Sequence, residues 1–459
     1  MIDKSLIGQF EKIVGKDNVL TSREALRAYS YDGTTNWIRE PDVVIFPTST
    51  QEVSAVLKIA NAEKIPVTPR GGGTNVSGGS VPWMGGIALV MTKMNHILKV
   101  DTVNLTATVE PGVVLQNLTL TIAKDGLFFP PDPQSFLGAT LGGIISENGG
   151  GPACVKYGVT KQYILGLEVV LPSGDIISLG GRNVKNVVGY DLIHIFISAE
   201  GTLGVITGAE LKLMRVPPAK KTTMVVYDDM TAAGESVFRV LENGVIPDKI
   251  EFLDNWVINR IEEMMPMGLP KDADAVLLFE CDGIAEAVEK ETEKIVEITR
   301  KYGAKDVRVA KDVDEANKYW LARRAGFAAV YGKAKTVFAE DVTVPRGRIP
   351  DLINKCKELS KKYNVAITVL GHAGDGNLHP AILTDVNNKD HYDRSVKAMD
   401  EIIMGAVELG GVLSGEHGIG LEKQKFFNKV TDPVVINMMK GIKGLLDPNN
   451  IMNPGKIWD

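Results

Sequence analysis

The stretch Pro69-Arg70-Gly71-Gly72-Gly73-Thr74-Asn75-Val76-Ser77-Gly78-Gly79-Ser80 is the strongest constraint in the chain. The segment before it, Ile65-Pro66-Val67-Thr68, reads as a β-strand, and the glycines that follow let the backbone curl where a Cβ would clash. Successive N–H groups can then point into one concavity, a nest suited to a phosphate or diphosphate, with Thr74, Asn75 and Ser77 adding short hydrogen-bonding side chains. The pattern is not a P-loop, because Gly79-Ser80 stands where a Lys-Ser/Thr pair belongs. Nor is it a nicotinamide dinucleotide fingerprint. Val76 stands where a third glycine should pack helix against strand, and Gly79, Ser80 and Pro82 do not open a helix. What is left is a cradle for a diphosphate of another kind.

Around the cradle, Asp42 to Pro47 reads as a buried strand. Thr50 reads as the N-cap of an amphipathic helix from Gln51 to Glu63, with Val53, Val56, Leu57 and Ala60 on one face. The cradle therefore sits at a strand end of a β-α-β unit, a common ligand position in α/β sheets. Further helices are predicted over 3–15, 23–30 and 113–124, and strands over 87–91 and 107–109. The stretch from Pro130 to Ser135, with Gly138 to Gly143 and Asn148 to Gly151, is too rich in proline and glycine for a long regular element. Its backbone is expected to lie against something flat or bulky. A hairpin, 167–171 with 176–179, and the loop Glu200-Gly201-Thr202-Leu203-Gly204 close this half.

A chain of 459 residues calls for two or three domains, and Pro217-Pro218 marks the natural boundary. Beyond it, strands (222–227, 275–280, 336–344, 365–371) alternate with charged helices (231–241, 284–302, 347–363, 394–409). That order predicts an α+β layer whose antiparallel sheet is covered on one face. The net charge of −6, with Lys and Arg scattered, offers no basic face for nucleic acid or anionic membrane. Cys154, Cys281 and Cys356 lie far apart, which fits a reducing compartment and leaves no set for a cysteine-ligated iron–sulfur cluster. With no apolar leader and no run near the ~18 apolar residues of a membrane span, a cytoplasmic protein is expected.

Four of the six histidines fall between His372 and His417. If the strand ending near His372 turns back through Asp375-Gly376, His372 and His379 become cross-strand neighbours on one face, with Cβ atoms ~5 Å apart. That spacing suits two imidazoles on one divalent ion. The tight loop Ser414-Gly415-Glu416-His417-Gly418 offers Glu416 as the third ligand, and in an extended loop His417 would point the other way, toward a reacting substrate. Two histidines and a carboxylate leave coordination positions open and suit Zn, Fe or Mn. The alternative is a pair of hydrogen-bonded hairpin histidines and a solvated Glu416. His96, His194 and His391 read as ordinary surface histidines.

These residues, with Lys185-Asn186-Val187-Val188-Gly189-Tyr190-Asp191-Leu192 and Asn453-Pro454-Gly455-Lys456, resemble the FAD-linked D-2-hydroxyacid dehydrogenases. That family includes D-lactate dehydrogenases and the flavin subunit of glycolate oxidase, within the vanillyl-alcohol oxidase superfamily. The resemblance covers nearly the whole chain and implies an α+β fold. A two-subdomain FAD-binding domain would span 1–217, an α+β cap domain with an antiparallel sheet 218–413, and a C-terminal segment, 414–459, would return to the FAD domain. It implies FAD contacts from Arg70, Gly71, Gly72, Gly73, Thr74, Asn75, Gly78 and Gly79, from Pro133, Gly138, Thr140, Gly143, Asn148 and Gly149, and from Gly201, Thr202, Gly204 and Ile206. Some relatives tether FAD through a histidine where Asn75 stands here, so non-covalent FAD is expected. Cys154 reads as a small buried thiol rather than a second tether.

The family's Trp-x-x-Arg element is matched by Trp320-Leu321-Ala322-Arg323, which implies that Arg323 forks onto the substrate carboxylate. Members that use dicarboxylic acids carry a lysine and an asparagine where this chain has Ala339 and Ala381, so a small monocarboxylate is implied. The expected activity is FAD-linked, metal-dependent oxidation of D-lactate to pyruvate. His417 would take the hydroxyl proton, and electrons would pass to a separate carrier, an electron-transferring flavoprotein or an iron–sulfur subunit. Two further readings stay open: a glycolate dehydrogenase or oxidase flavin subunit working with an iron–sulfur subunit, and a non-catalytic flavin-binding subunit of a redox complex.

Overall fold

The computed structural model describes residues 2–34, 36–332 and 335–458; Met1 and Asp459, the outer limits of the expected first and last segments, lie outside them. The chain divides into two compact units. One holds the chain up to Gly149, Val159–Val216 and the chain from Glu416 onward; the other holds Gly150–Gly158 and Pro217–Gly415.

In the first unit, β1 (Val19–Leu20), β2 (Val43–Ile45), β3 (Val67–Arg70) and β4 (Ile87–Val90) form a sheet in the order β1-β2-β4-β3, with β2, β4 and β3 parallel. Parallel strands covered on both faces carry unbroken apolar runs. Accordingly Val43, Val44, Ile45, Ile87, Ala88 and Leu89 are all fully buried. The helix Thr50–Ala62 joins β2 to β3 and sinks Val53, Val56, Leu57 and Ala60 into this core. Its N-cap is Ser49, not Thr50. An N-cap oxygen must reach the N–H three residues on, and Ser49 Oγ accepts from Glu52, whereas the Thr50 hydroxyl donates to Glu168 at 2.6 Å. Next come β5 (Ile97–Asp101), β6 (Thr106–Val109), β7 (Leu127–Phe128), β8 (Ile164–Val170), β9 (Ile176–Gly180), β10 (Val205–Lys212) and β11 (Met214–Arg215). β7 pairs with β11 alone; the other five form an antiparallel sheet in the order β5-β6-β10-β8-β9.

In the second unit, β12 (Ala219–Tyr227), β13 (Lys249–Asp254), β14 (Ala275–Gly283), β15 (Asp306–Val309), β16 (Thr336–Ala339), β17 (Val342–Thr343), β18 (Ala366–His372) and β19 (Asn377–Thr384) make one antiparallel sheet. Its order is β15-β12-β14-β13-β18-β19-β16, with β17 beside β19. It is covered on both faces, not one. Met224, Val226, Leu253 and Leu370 pack with Val257, Ile258 and Ile261 of the helix Asn255–Met264 and with Trp320 and Ala322 of the helix Val313–Tyr331. The alternate residues Val225, Phe252, Leu277 and Val369 are equally buried. Over them lie the helices Met230–Glu242, Ala285–Lys301, Ile349–Tyr363 and Lys389–Glu408. The first cover is hard to read from sequence because Val313, Leu321 and Tyr331 put apolar side chains on the exposed face of its long helix and blur the helical period.

Gly150–Gly158 is fixed to this sheet through Lys156 and Tyr157, whose ammonium and hydroxyl groups donate to the buried Asp282 carboxylate at 2.5 and 2.6 Å. Cys154, in the same segment, is half-buried rather than buried; it opens a short helix, and its Sγ accepts from the Gly151 N–H. Among the described residues no helix is long and apolar enough to cross a membrane.

Candidate functional site

β3 ends at Arg70 and the chain passes at once into the glycine run. The glycines are required by close approach: a Cβ on Gly71 would strike Thr140 Oγ1, and one on Gly72 the carbonyl oxygen of Gly138. The cradle and the Gly138–Gly143 stretch are therefore pressed together. Gly201 joins them, since a Cβ there would lie 3.3 Å from Pro69. Glu200 and Gly201 both take left-handed backbone, with φ of 50° and 69°, to bring the chain into β10 at this point.

The side chains of the run brace it. Arg70 Nη1 donates to the Tyr31 carbonyl at 2.7 Å and to Ser80 Oγ at 3.3 Å, tying the two ends of the cradle. Asn75 donates through Nδ2 to Asp32 and accepts through Oδ1 from Ser80, both at 2.7 Å. From the C-terminal segment, Lys456 Nζ donates to the carbonyls of Gly78 (2.8 Å) and Val81 (2.6 Å), and Asn453 Nδ2 to those of Gly79 (2.9 Å) and Glu200 (2.7 Å). Burial pushes the Lys456 ammonium down to about 8 against the pull of Glu200, Asp32 and Glu147. Burial, reinforced by Glu200 and Asp32, holds Glu147 well above the ordinary carboxyl range. Glu200 is raised by burial too, although the N–H groups of Ile419 and Gly420 donate to it at 2.8 and 2.7 Å. Among the described residues, Ser77 Oγ and Thr140 Oγ1 are buried without a hydrogen-bond partner. Hydroxyls are seldom left so. Two of them in a glycine cradle fit the phosphate oxygens of a dinucleotide.

The histidine hairpin differs from its expected register. β18 and β19 are joined by Ala373–Gly376 rather than by a two-residue turn, so His372 pairs with Asn377 and His379 with Leu370. Asp375 lengthens the turn by accepting from the Asn377 N–H. A slip of two residues preserves the face. The two rings accordingly still meet, with centroids 5.3 Å apart and edge to face.

β13 contributes a residue that the sequence reading missed. Phe252 pairs with Gly371, which sets Glu251 opposite His372 on the same face. Glu251 Oε1 lies 2.7 Å from His372 Nδ1, and Oε2 lies 2.5 Å from Arg323 Nε. All three side chains are buried. Burial works against the charge on Glu251, but Arg323 and His372 outweigh it and hold the carboxyl below the ordinary Glu range. The Arg323 contact is an ion pair off the N–H axis. Nε, Nη1 and Nη2 are all buried with no hydrogen-bond partner among the described residues. A carboxylate would satisfy such a fork. With His372 Nδ1 facing a carboxylate, and His379 Nδ1 the backbone carbonyl of Glu340 at 3.2 Å, Nε2 is the nitrogen each ring would offer a metal.

Asp341 sets the third ligand. Its Oδ2 accepts from Ser414 Oγ (2.6 Å) and the Gly415 N–H (2.9 Å), and its Oδ1 from Asn377 Nδ2 (2.5 Å). Glu416, the expected third ligand, is the next residue. Two imidazoles and one carboxylate fit a first-row divalent ion. His417 does not point away from Glu416 as an extended loop would require. Its Nε2 is 3.7 Å from Glu416 Oε1, because the loop bends and Gly418 takes a φ of 81°. Nothing in the sequence marked Glu251. Ala339 and Ala381 are cross-strand partners, leaving neither charge nor amide at that pair. His96, His194 and His391 engage Glu110, Asp191 and Thr384 instead.

Comparison with known proteins gives the same outline. Residues 41–180 match the family described as "FAD binding domain", and residues 216–457 the family described as "FAD linked oxidases, C-terminal domain". The chain is 43% identical to the glycolate oxidase subunit GlcD of Bacillus subtilis (strain 168), over 100% of this chain and 97% of that protein. It is 35% identical to a D-lactate dehydrogenase of Anaerostipes hadrus, over 99% of this chain and 98% of that one. Among solved structures, p-cresol methylhydroxylase with substrate bound aligns at a TM-score of 0.80 and 21% identity, over 99% of this chain and 96% of that one, a likeness of fold.

Proposed function

The chain belongs to the FAD-linked oxidases, with the vanillyl-alcohol oxidase type of fold, and from that premise we propose that it oxidises a small 2-hydroxy monocarboxylate, D-lactate or glycolate, using non-covalent FAD and one divalent ion. FAD supplies the acceptor for the Cα hydride. A divalent ion on His372, His379 and Glu416 supplies Lewis acidity toward the hydroxyl oxygen. Arg323 takes the substrate carboxylate through its partnerless donors and fixes the orientation of Cα. His417 takes the hydroxyl proton at Nε2, which lies 3.7 Å from Oε1 of Glu416. The cradle residues over Arg70–Gly79, with Thr140 and Gly201, hold the cofactor's diphosphate. Electrons leave to a separate carrier, an electron-transferring flavoprotein or an iron–sulfur subunit.

The observation that carries this reading is the buried Arg323 fork. Beyond its ion pair with Glu251, this guanidinium has no hydrogen-bond partner among the described residues and so has donors to offer a second anion, and Glu251 is shared with a histidine of metal-ligand type. The Ala339–Ala381 pair supports a monocarboxylate over a dicarboxylate. The name of the 43% identical relative favours glycolate, which keeps that acid level with D-lactate. The test is an anaerobic visible spectrum of the purified protein titrated with each acid. A yellow protein bleached by D-lactate or glycolate, and not after treatment with a chelator, is expected. A colourless protein, or one bleached by neither acid, overturns the reading.

A further inference from the structure

One buried carboxylate, Glu251, stands between two groups given different tasks above, and we propose that it is the positioning residue that couples them: Glu251 orients His372 for the divalent ion and Arg323 for the substrate carboxylate. The inference rests on the proposed function. It starts from register. Because Phe252 pairs with Gly371, the side chain of Glu251 rises beside that of His372 with no freedom to face elsewhere. Oε1, 2.7 Å from Nδ1, accepts the Nδ1 proton and fixes the imidazole in the tautomer whose Nε2 carries the lone pair. Oε2, 2.5 Å from Nε of Arg323, crowds one side of the guanidinium and leaves Nη1 and Nη2, both buried and partnerless, as the ends that meet an incoming carboxylate.

Charge adds a second argument. Replacing a buried ion pair by apolar side chains often costs nothing in stability, so a Glu–Arg pair at 0% and 2% exposure needs a reason other than the fold. Counting the proposed ion with its Glu416 ligand, Arg323 and Glu251, the excess is a single positive charge. A monocarboxylate neutralises it. Without Glu251 the site would carry one more positive charge, would hold its ion less tightly, and would leave Arg323 free to turn.

The experiment uses full-length protein stripped of metal by a chelator, with Zn²⁺ itself as the probe. The isosteric E251Q variant removes the charge and keeps an oxygen that can accept from His372. Its Kd for Zn²⁺ is expected to rise about 10- to 100-fold, as for other partners of metal-ligating histidines. The D-lactate or glycolate concentration that half-bleaches the flavin is expected to rise with it, at unchanged FAD content. Nitrogen NMR of the metal-free protein gives a signature that simple loosening would not. His372 is expected as the Nδ1–H tautomer in wild type and as a mixture in E251M/R323M, a double variant that removes both charges and remains usable if E251Q fails to fold. H372A separates the two claims. If H372A loses Zn²⁺ while E251Q binds it within twofold of wild type, or if the double variant keeps a pure Nδ1–H tautomer, the role of Glu251 is refuted and the metal reading stands. If H372A also binds as wild type, the metal reading itself fails.

Discussion

Exchanging Arg323 for lysine isolates the geometry of the substrate fork from its charge. The arginine has Nη1 and Nη2 free of hydrogen bonds while Oε2 of Glu251 lies 2.5 Å from its Nε. A lysine ammonium is one point charge that must serve both Glu251 and the substrate carboxylate. Glu251 is fully buried, so the ammonium stays with it and at least one charge-assisted hydrogen bond to the substrate is lost. Such a bond contributes about 1.5–3 kcal/mol, or roughly 10- to 150-fold in affinity. R323K is therefore expected to raise the half-saturating acid concentration by that factor in anaerobic flavin reduction. Its melting temperature should drop only slightly, because Glu251 keeps a cation. R323M, by contrast, leaves the buried carboxylate with no partner but His372 and should cost about 3–5 kcal/mol of stability. If R323K loads FAD and metal normally yet saturates within threefold of wild type, Arg323 does not hold the substrate and the argument from its partnerless donors fails.

Three other substitutions probe the cradle and the core. G72A drives a methyl group into the Gly138 carbonyl; a loss of about 1–3 kcal/mol and of bound flavin is expected, and a full flavin-to-protein absorbance ratio would contradict the packing described. K456M removes the donor from the Gly78 and Val81 carbonyls, which at about 1–3 kcal/mol for each buried acceptor left bare should lower the denaturant midpoint clearly; an unchanged midpoint would show that water replaces the ammonium. Burial raises Asp254 from 3.8 to about 6 despite donation from Val257, Thr368 and Val369. The folded protein then holds this proton more tightly than the unfolded chain does, so stability falls as pH rises from about 4 to about 6, by up to ~3 kcal/mol. D254N should flatten that part of the melting temperature against pH, and an unaltered slope would refute the assignment.

The cradle was legible because its signals are local: a short strand, then glycines whose Cβ positions are taken by Thr140 and Gly138. The histidine pair was legible for a weaker reason. The turn is longer than the Asp375-Gly376 dipeptide suggested, yet the period of two in a strand put both rings on one face regardless. Glu251 was illegible because β13 reads Lys-Ile-Glu-Phe-Leu-Asp, and two buried acids in six residues break the apolar pattern by which a central strand is recognised. Those acids are tolerated only through partners far along the chain, Arg323 and His372 for one, Thr368 and Val369 for the other. The orientation of His417 failed for the converse reason: the rule for extended backbone was applied to a loop that bends at Gly418.

The excursion of Gly150–Gly158 has a bearing on how this polypeptide can be divided. A cut at the proline pair near 217, where sequence texture changes, would yield a carboxyl-terminal fragment that has lost Lys156 and Tyr157 and keeps Asp282 buried without them. Such a fragment should be insoluble or loosely folded alone, and a peptide spanning 150–158 should bind it and tighten its thermal transition; a well-folded fragment indifferent to the peptide would show the excursion to be dispensable. Evolutionary shuffling or laboratory grafting of the two halves as separate cassettes would meet the same obstacle, because one cassette carries a piece of the other's interior.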